Sequence, residues 1–180
     1  MIYCFLADGF EELEAIAPID ILRRASVEVV TVGVTGDVIC GRNGIKVVAD
    51  CSIDDIVLSD ELEGVILPGG LPGATNLEES EKVQKAIDFA ADEGRLVCAI
   101  CAAPQILGHK GLLCGKEAIA YPGFEDELKG AVISESYVAV DGNFITAKGA
   151  GVAVDFGLEI AAAVKGREVA DKIKAAIQCR

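Results

Sequence analysis

The segment Val97-Cys98-Ala99-Ile100-Cys101-Ala102-Ala103-Pro104 constrains the fold more than any other stretch. An apolar run halts at a cysteine, and small side chains follow before helix-compatible sequence resumes. Read as a buried strand, the run places Cys101 on a sharp strand-to-helix turn at the carboxyl edge of a sheet, where open α/β folds put ligands and chemistry. Ala102 and Ala103 permit close backbone approach, and the unpaired N–H groups entering the next helix favour a thiolate. The functional reading therefore starts from Cys101.

The flanking sequence supplies the rest of such a fold. Ile2 to Leu6 predicts a buried strand, Glu11 to Ala25 a helix that Pro18 starts or kinks, and Val27 to Val34 a second strand. An Asn43-Gly44 pair between Val38–Cys40 and Ile45–Val48 predicts a projecting hairpin. Gly64 to Leu67 reads as a core strand closed by Pro68-Gly69-Gly70 and a polar loop as far as Glu79. Ser80 caps a helix that Gly94 ends before the strand Leu96 to Ile100. Beyond Cys101 come a helix from Ala102 to about Gly108, a strand near Ala118 to Ala120 and a hairpin from Tyr137 to Ala147. Two closing helices, Val152 to Val164 and Arg167 to Ile177, complete the pattern. Strands alternating with helices predict an α/β fold with a mostly parallel sheet covered on both faces. No composition shift divides the 180 residues, so one domain spanning 1–180 is expected.

Charge and cysteine usage narrow the partners. The net charge of −13 comes without a Lys/Arg stripe that could follow phosphates, which argues against nucleic acid. Charged residues, Pro or Gly break every apolar run well short of the ~18 residues of a membrane span. Seven scattered cysteines do not form a disulfide framework, and Met1-Ile2-Tyr3-Cys4-Phe5-Leu6 lacks a basic n-region. A cytoplasmic location with reduced thiols is expected.

Competing motifs are weaker. Cys98 and Cys101 have CxxC spacing, but residues three apart on a strand face opposite sides and no further ligands accompany them; no metal is expected. His109, the only histidine, lies about 12 Å along the helix from Cys101 and reads as a surface residue near a helix end. Gly69, Gly70 and Gly73 do not make a dinucleotide fingerprint. Gly69 fits a tight turn with positive φ, while Gly70 can aim its N–H at the elbow and pair with the Ala102 amide as an oxyanion-type pocket. The dipole explains Glu11 and Glu12 at a helix start.

Three segments in order, Asp8-Gly9-Phe10-Glu11-Glu12-Leu13-Glu14 with Pro18-Ile19-Asp20, Val65-Ile66-Leu67-Pro68-Gly69-Gly70, and Ala99-Ile100-Cys101-Ala102-Ala103-Pro104, resemble the ThiJ/PfpI superfamily. The likeness is strongest to its Parkinsonism-associated deglycase branch and extends through Thr146-Ala147-Lys148-Gly149-Ala150-Gly151 to the last helix. It implies a flavodoxin-like three-layer sandwich of the class I glutamine amidotransferase-like type, a homodimer, and Cys101 as nucleophile with Glu14 beside its sulfur. A thiolate and a carboxylate in contact repel, so one shared proton should sit on Glu14 while sulfur carries the charge. The resemblance also implies that Gly69, Tyr121 and Lys148 line the pocket. Ala102 replaces the histidine that follows the cysteine in the protease-like branch, which argues against peptidase activity. Tyr121 stands in the segment where the deglycase branch commonly has a histidine, and Lys148 where relatives often have arginine.

The expected function is cofactor-independent chemistry on small reactive carbonyls, of glyoxalase or deglycase type, in the setting of oxidative stress. The alternative is a non-catalytic redox sensor or stress chaperone in which an oxidant converts Cys101 to the sulfinic state. The dimer is expected to use the first helix, through Ile16, Ile19 and Ile21, and the hairpin around Arg42.

Overall fold

The computed structural model describes residues 1–179. Its centre is a seven-stranded sheet in the order β10-β11-β7-β6-β1-β2-β5, parallel except for the antiparallel β10–β11 pair. The strands are β1 (Ile2–Leu6), β2 (Val29–Gly33), β5 (Cys51–Ser52), β6 (Gly64–Leu67), β7 (Leu96–Ile100), β10 (Val138–Asp141) and β11 (Phe144–Ala147). A hairpin of β3 (Val38–Cys40) and β4 (Lys46–Val48), and a second pair of β8 (Glu117–Ala118) and β9 (Val132–Ile133), stand outside it. No helix among the described residues is long and apolar enough to cross a membrane.

The period-2 geometry of the strands divides the core into two layers. Ile2, Cys4 and Leu6 face the layer of α1 (Glu12–Arg24), α5 (Ala153–Lys165) and α6 (Arg167–Ala176). Tyr3 and Phe5 face the opposite layer with α2 (Gly73–Glu79), α3 (Glu81–Asp92) and α4 (Pro104–His109). β1 is buried along its whole length because both faces are covered, which is why it reads as a continuous apolar run. α1 continues through Pro18 rather than starting there. Glycine at 157 lets α5 approach it, since a Cβ there would lie 2.8 Å from Pro18 Cα.

Two expectations change. The stretch after Gly70 is not loop as far as Glu79, because α2 begins at Gly73. Tertiary contacts override its Gly/Pro composition: a Cβ on Gly73 would lie 2.5 Å from Phe10 N, and Asn76 Nδ2 donates to Asp8 O at 2.9 Å. On α1, Ile19 and Ile21 are buried within the chain, leaving Leu13 and Ile16 as the exposed apolar residues on that helix.

The chain order puts β1 and β6 side by side while their following connections run to opposite sides of the sheet. The carboxyl ends of β1, β6 and β7 therefore border one crevice, the place where such sheets bind ligands.

Candidate active site

Cys101 follows the last residue of β7 and has φ 65°, a left-handed conformation that costs a non-glycine residue roughly 1–2 kcal/mol. Hydrogen bonds hold it there: Cys101 N donates to Ala147 O and Tyr121 N donates to Cys101 O, each at 2.8 Å. The turn lifts the side chain off the strand end. Cys98, three residues earlier, stays in the core, where burial pushes its thiol above the ordinary value.

Glu14 reaches the same point from the first turn of α1. Its side chain is hydrogen-bonded with Cys101, and its Oε2 accepts from Gly69 N at 2.9 Å. The residue is only 1 % exposed, and burial raises its carboxyl to about 7. The Cys101 thiol is also raised, to about 12, first by burial and then by the Glu14 charge. The amides of Ala102 and Gly70 oppose this shift by hydrogen-bonding the sulfur. Entry into a helix thus does not by itself make an easy thiolate, because desolvation outweighs the amides. The two groups are in contact, so their protons come off in two steps that belong to the pair, and burial raises the proton affinity of both.

Gly69 has a different duty from the one read in sequence. The positive φ of 86° belongs to Gly70, whereas Gly69 is required by space. A Cβ at Gly69 would stand 2.6 Å from Glu14 Oε2, 2.7 Å from Cys101 Cβ and 2.8 Å from Ile100 O. Glu14, Cys101, Gly69, Gly70 and Ala102 therefore come together. Tyr121 meets Cys101 through its backbone N–H, and its side chain and Lys148 line an adjoining cleft of about 420 Å³ with Pro122, Tyr137 and residues 149–152. Lys148 Nζ sits 5.1 Å from the Tyr137 ring centroid, a cation–π contact.

Other groups escaped sequence reasoning because their partners are distant. Arg42 Nε lies 3.6 Å from Glu11 Oε2, and both charges act on Glu14, Glu11 raising its proton affinity and Arg42 lowering it. His109 is exposed at the end of α4, as its sequence position predicts, and is bridged there: Nδ1 pairs with Glu78 and Nε2 lies 2.8 Å from Glu127 Oε2. These contacts raise its proton affinity and tie α4, which follows the elbow, to α2 and to the 3-10 turn Glu125–Glu127. Glycine at 108 allows the turn to close, since a Cβ would overlap Glu127 O.

The chain is similar to known proteins over nearly its whole length. A Parkinson disease protein 7 homolog of Danio rerio is 37 % identical over 175 residues, covering 94 % of this chain and 92 % of the relative. A deglycase of Pyrococcus abyssi is 34 % identical over 148 residues, covering 79 % and 86 %. Among solved structures, oxidized Toxoplasma gondii DJ-1 superposes with TM-score 0.93 at 33 % identity, covering 98 % and 97 %. Drosophila melanogaster DJ-1beta gives 0.92 at 33 % identity, covering 99 % and 97 %. The DJ-1/PfpI family model itself matches residues 1–163, from the strand that precedes Glu14 past the cysteine elbow and into α5, and the chain belongs to that family.

Proposed function

We propose that the protein is a Cys101-dependent enzyme acting on small reactive carbonyls such as glyoxals or their early adducts. The observation that carries this reading is the hydrogen-bonded pair of Cys101 and Glu14, buried at a strained turn with two amides on the sulfur. Loss of one proton leaves the pair with a single negative charge. We place that charge on sulfur and the remaining proton on Glu14: burial opposes the thiolate, and the amides of Gly70 and Ala102, with the Glu14 proton donated to sulfur, act against burial. That form attacks.

Sulfur adds to the aldehyde carbon, the carbonyl π electrons move to oxygen, and Glu14 delivers its proton there to give a hemithioacetal. With methylglyoxal, the Glu14 carboxylate then removes the proton from the former aldehyde carbon and the resulting enediol is reprotonated on the neighbouring carbon. The internal redox balances, one carbon oxidised and the next reduced, and leaves a thioester. Water hydrolyses it to lactate and restores the thiol. The adjoining cleft, with the tyrosine rings of 121 and 137 and the Lys148 ammonium, is the place for the rest of a substrate.

The test is steady-state conversion of methylglyoxal to lactate by the wild type and by Cys101→Ser. Multiple turnovers abolished in the variant are expected. A single stoichiometric modification without turnover would instead favour the redox reading, which gains weight from the structure of the Toxoplasma gondii relative in an oxidized state. In that reading Glu14 donates to a sulfinate oxygen on Cys101. We further propose a cytoplasmic homodimer. The exposed Leu13 and Ile16 on α1 and the exposed Val38, Ile45 and Val48 of the hairpin offer an apolar surface for a second copy.

A further inference from the structure

Glu12 is a buried carboxylate outside the reacting pair, 5 % exposed. Its partners all belong to the tip of the β3–β4 hairpin. Oε1 accepts from Asn43 N at 2.8 Å and from Ile45 N at 3.3 Å, and Oε2 accepts from Asn43 Nδ2 at 2.8 Å. These hydrogen bonds hold the carboxyl below its ordinary proton affinity, against the opposing effect of burial. Glycine at 41 leaves room for the clasp, since a Cβ there would overlap the Glu12 carboxylate. Further bonds fasten the same tip: Arg42 N donates to Phe10 O at 2.9 Å and Gly9 N to Cys40 O at 2.8 Å.

The segment that receives the hairpin also frames the reacting pair. Glu11 N donates to Gly69 O at 2.9 Å, and a Cβ on Gly70 would lie 2.5 Å from Glu11 N. The hairpin tip is thus joined, through residues 9–12, to the backbone that presents the Gly69 and Gly70 amides. The charged and titratable groups acting on Glu14 are Cys101 across the crevice, Glu11 at the start of its own helix and Arg42 from the hairpin. Glu11 is the more buried of the last two, with 15 % of its side chain exposed against 50 % for Arg42. Glu11 therefore repels charge on Glu14 across a poorly screened path unless Arg42 stays beside it.

We propose that Glu12 is a positioning residue whose carboxylate clasps the hairpin tip, so that Arg42 stays paired with Glu11 and the Glu14–Cys101 pair releases its proton more readily. The proposal rests on the reading that Glu14 and Cys101 share a proton, but not on the identity of the carbonyl substrate. Glu12 touches no reacting atom; it acts through Arg42.

The sign of the effect separates this role from simpler ones. Deleting the Glu12 charge would by itself ease ionisation of Glu14 and move the pair's titration to lower pH. Freeing Arg42 does the opposite. The test is the pH dependence of Cys101 alkylation by iodoacetamide, resolved by peptide mass mapping, in the wild type, Glu12→Gln, Arg42→Met and the double variant. Glu12→Gln and Arg42→Met are each expected to move the midpoint up by about half a pH unit, slowing alkylation at pH 6 by about threefold. The double variant should shift no further than Arg42→Met alone.

Arg42→Lys, which keeps the charge, should restore part of the shift. Asn43→Ala removes the side-chain arm of the clasp, together with the longer hydrogen bonds of the same Nδ2 to Glu11 Oε1 and Oε2 at 3.3 and 3.4 Å, and should move the midpoint in the same direction by a smaller amount. It also carries the test if Glu12→Gln fails to fold by thermal unfolding. A downward or absent shift in Glu12→Gln and Asn43→Ala, or additive shifts in the double variant, would overturn the clasp while leaving the reacting pair intact. A wild type without a midpoint near 7 would overturn both.

Discussion

Replacing Glu14 with leucine is expected to lower kcat/KM for methylglyoxal by at least about 10²-fold while leaving the protein folded, because the substitution removes the group that carries the proton. Stability should respond in a pH-dependent way. The folded carboxyl, at about 7, lies above its ordinary 4.5, so the folded state keeps a proton that the unfolded state releases. The contribution of Glu14 to stability is accordingly greatest below 4.5, falls as pH rises towards 7, and stays low above. At pH 8 the single charge held by the buried pair is unfavourable by about 3 kcal/mol, from a gap between about 7 and 4.5. Leucine removes that term but strands the Gly69 N–H, which costs about 1 kcal/mol. Glu14→Leu should therefore be more stable than wild type by about 2 kcal/mol at pH 8 and less stable by about 1 kcal/mol at pH 4. Urea unfolding at the two pH values checks the reversal; a variant destabilised equally at both would show that Glu14 is held for packing.

Gly69→Ala should have the largest effect on stability. Its Cβ would press on Glu14 Oε2, Cys101 Cβ and Ile100 O, all between 2.6 and 2.8 Å away. The strand end cannot retreat, because Leu67 and Ile100 belong to adjacent buried strands. A loss of about 3 kcal/mol or more is expected, a fall of roughly 10 °C in Tm, together with displacement of Glu14 from sulfur. Gly151 has nothing within 4 Å of its would-be Cβ, and Gly151→Ala should change stability by less than about 0.5 kcal/mol. Equal Tm for the two variants would mean that the close approach at Gly69 relaxes freely.

What was legible in the sequence followed from short-range physics. β1, β6 and β7 emerge with their observed bounds because a buried strand flanked by turn residues is an apolar run of definite length. The Ser80 cap was equally local; its Oγ accepts from Val83 N. Cys101 stood out because small residues beyond an apolar run fit only a few turns. α2 was hidden because its Pro72-Gly73-Ala74-Thr75 start carries loop chemistry, and packing on Phe10 decides its conformation. Glu12 and His109 were hidden for another reason. Their partners lie 31 to 33 and 18 to 31 residues away, so nothing in their own neighbourhoods announces a clasp or a bridge. The raised proton affinity of Cys101 was also out of reach, because it depends on burial that only the assembled crevice creates.

The central claim is that one ionisation, shared by Glu14 and Cys101, switches the sulfur on. Its most direct test is the rate of Cys101 alkylation across pH in the wild type and in Glu14→Gln, which keeps the size and a donor but cannot ionise. The account predicts a wild-type rate that rises with a midpoint around 7, below the ordinary thiol value of 9.0, and loss of that midpoint in Glu14→Gln, whose thiol ionises only at higher pH. A wild-type midpoint at or above the ordinary thiol value, or the same profile in both proteins, would contradict it.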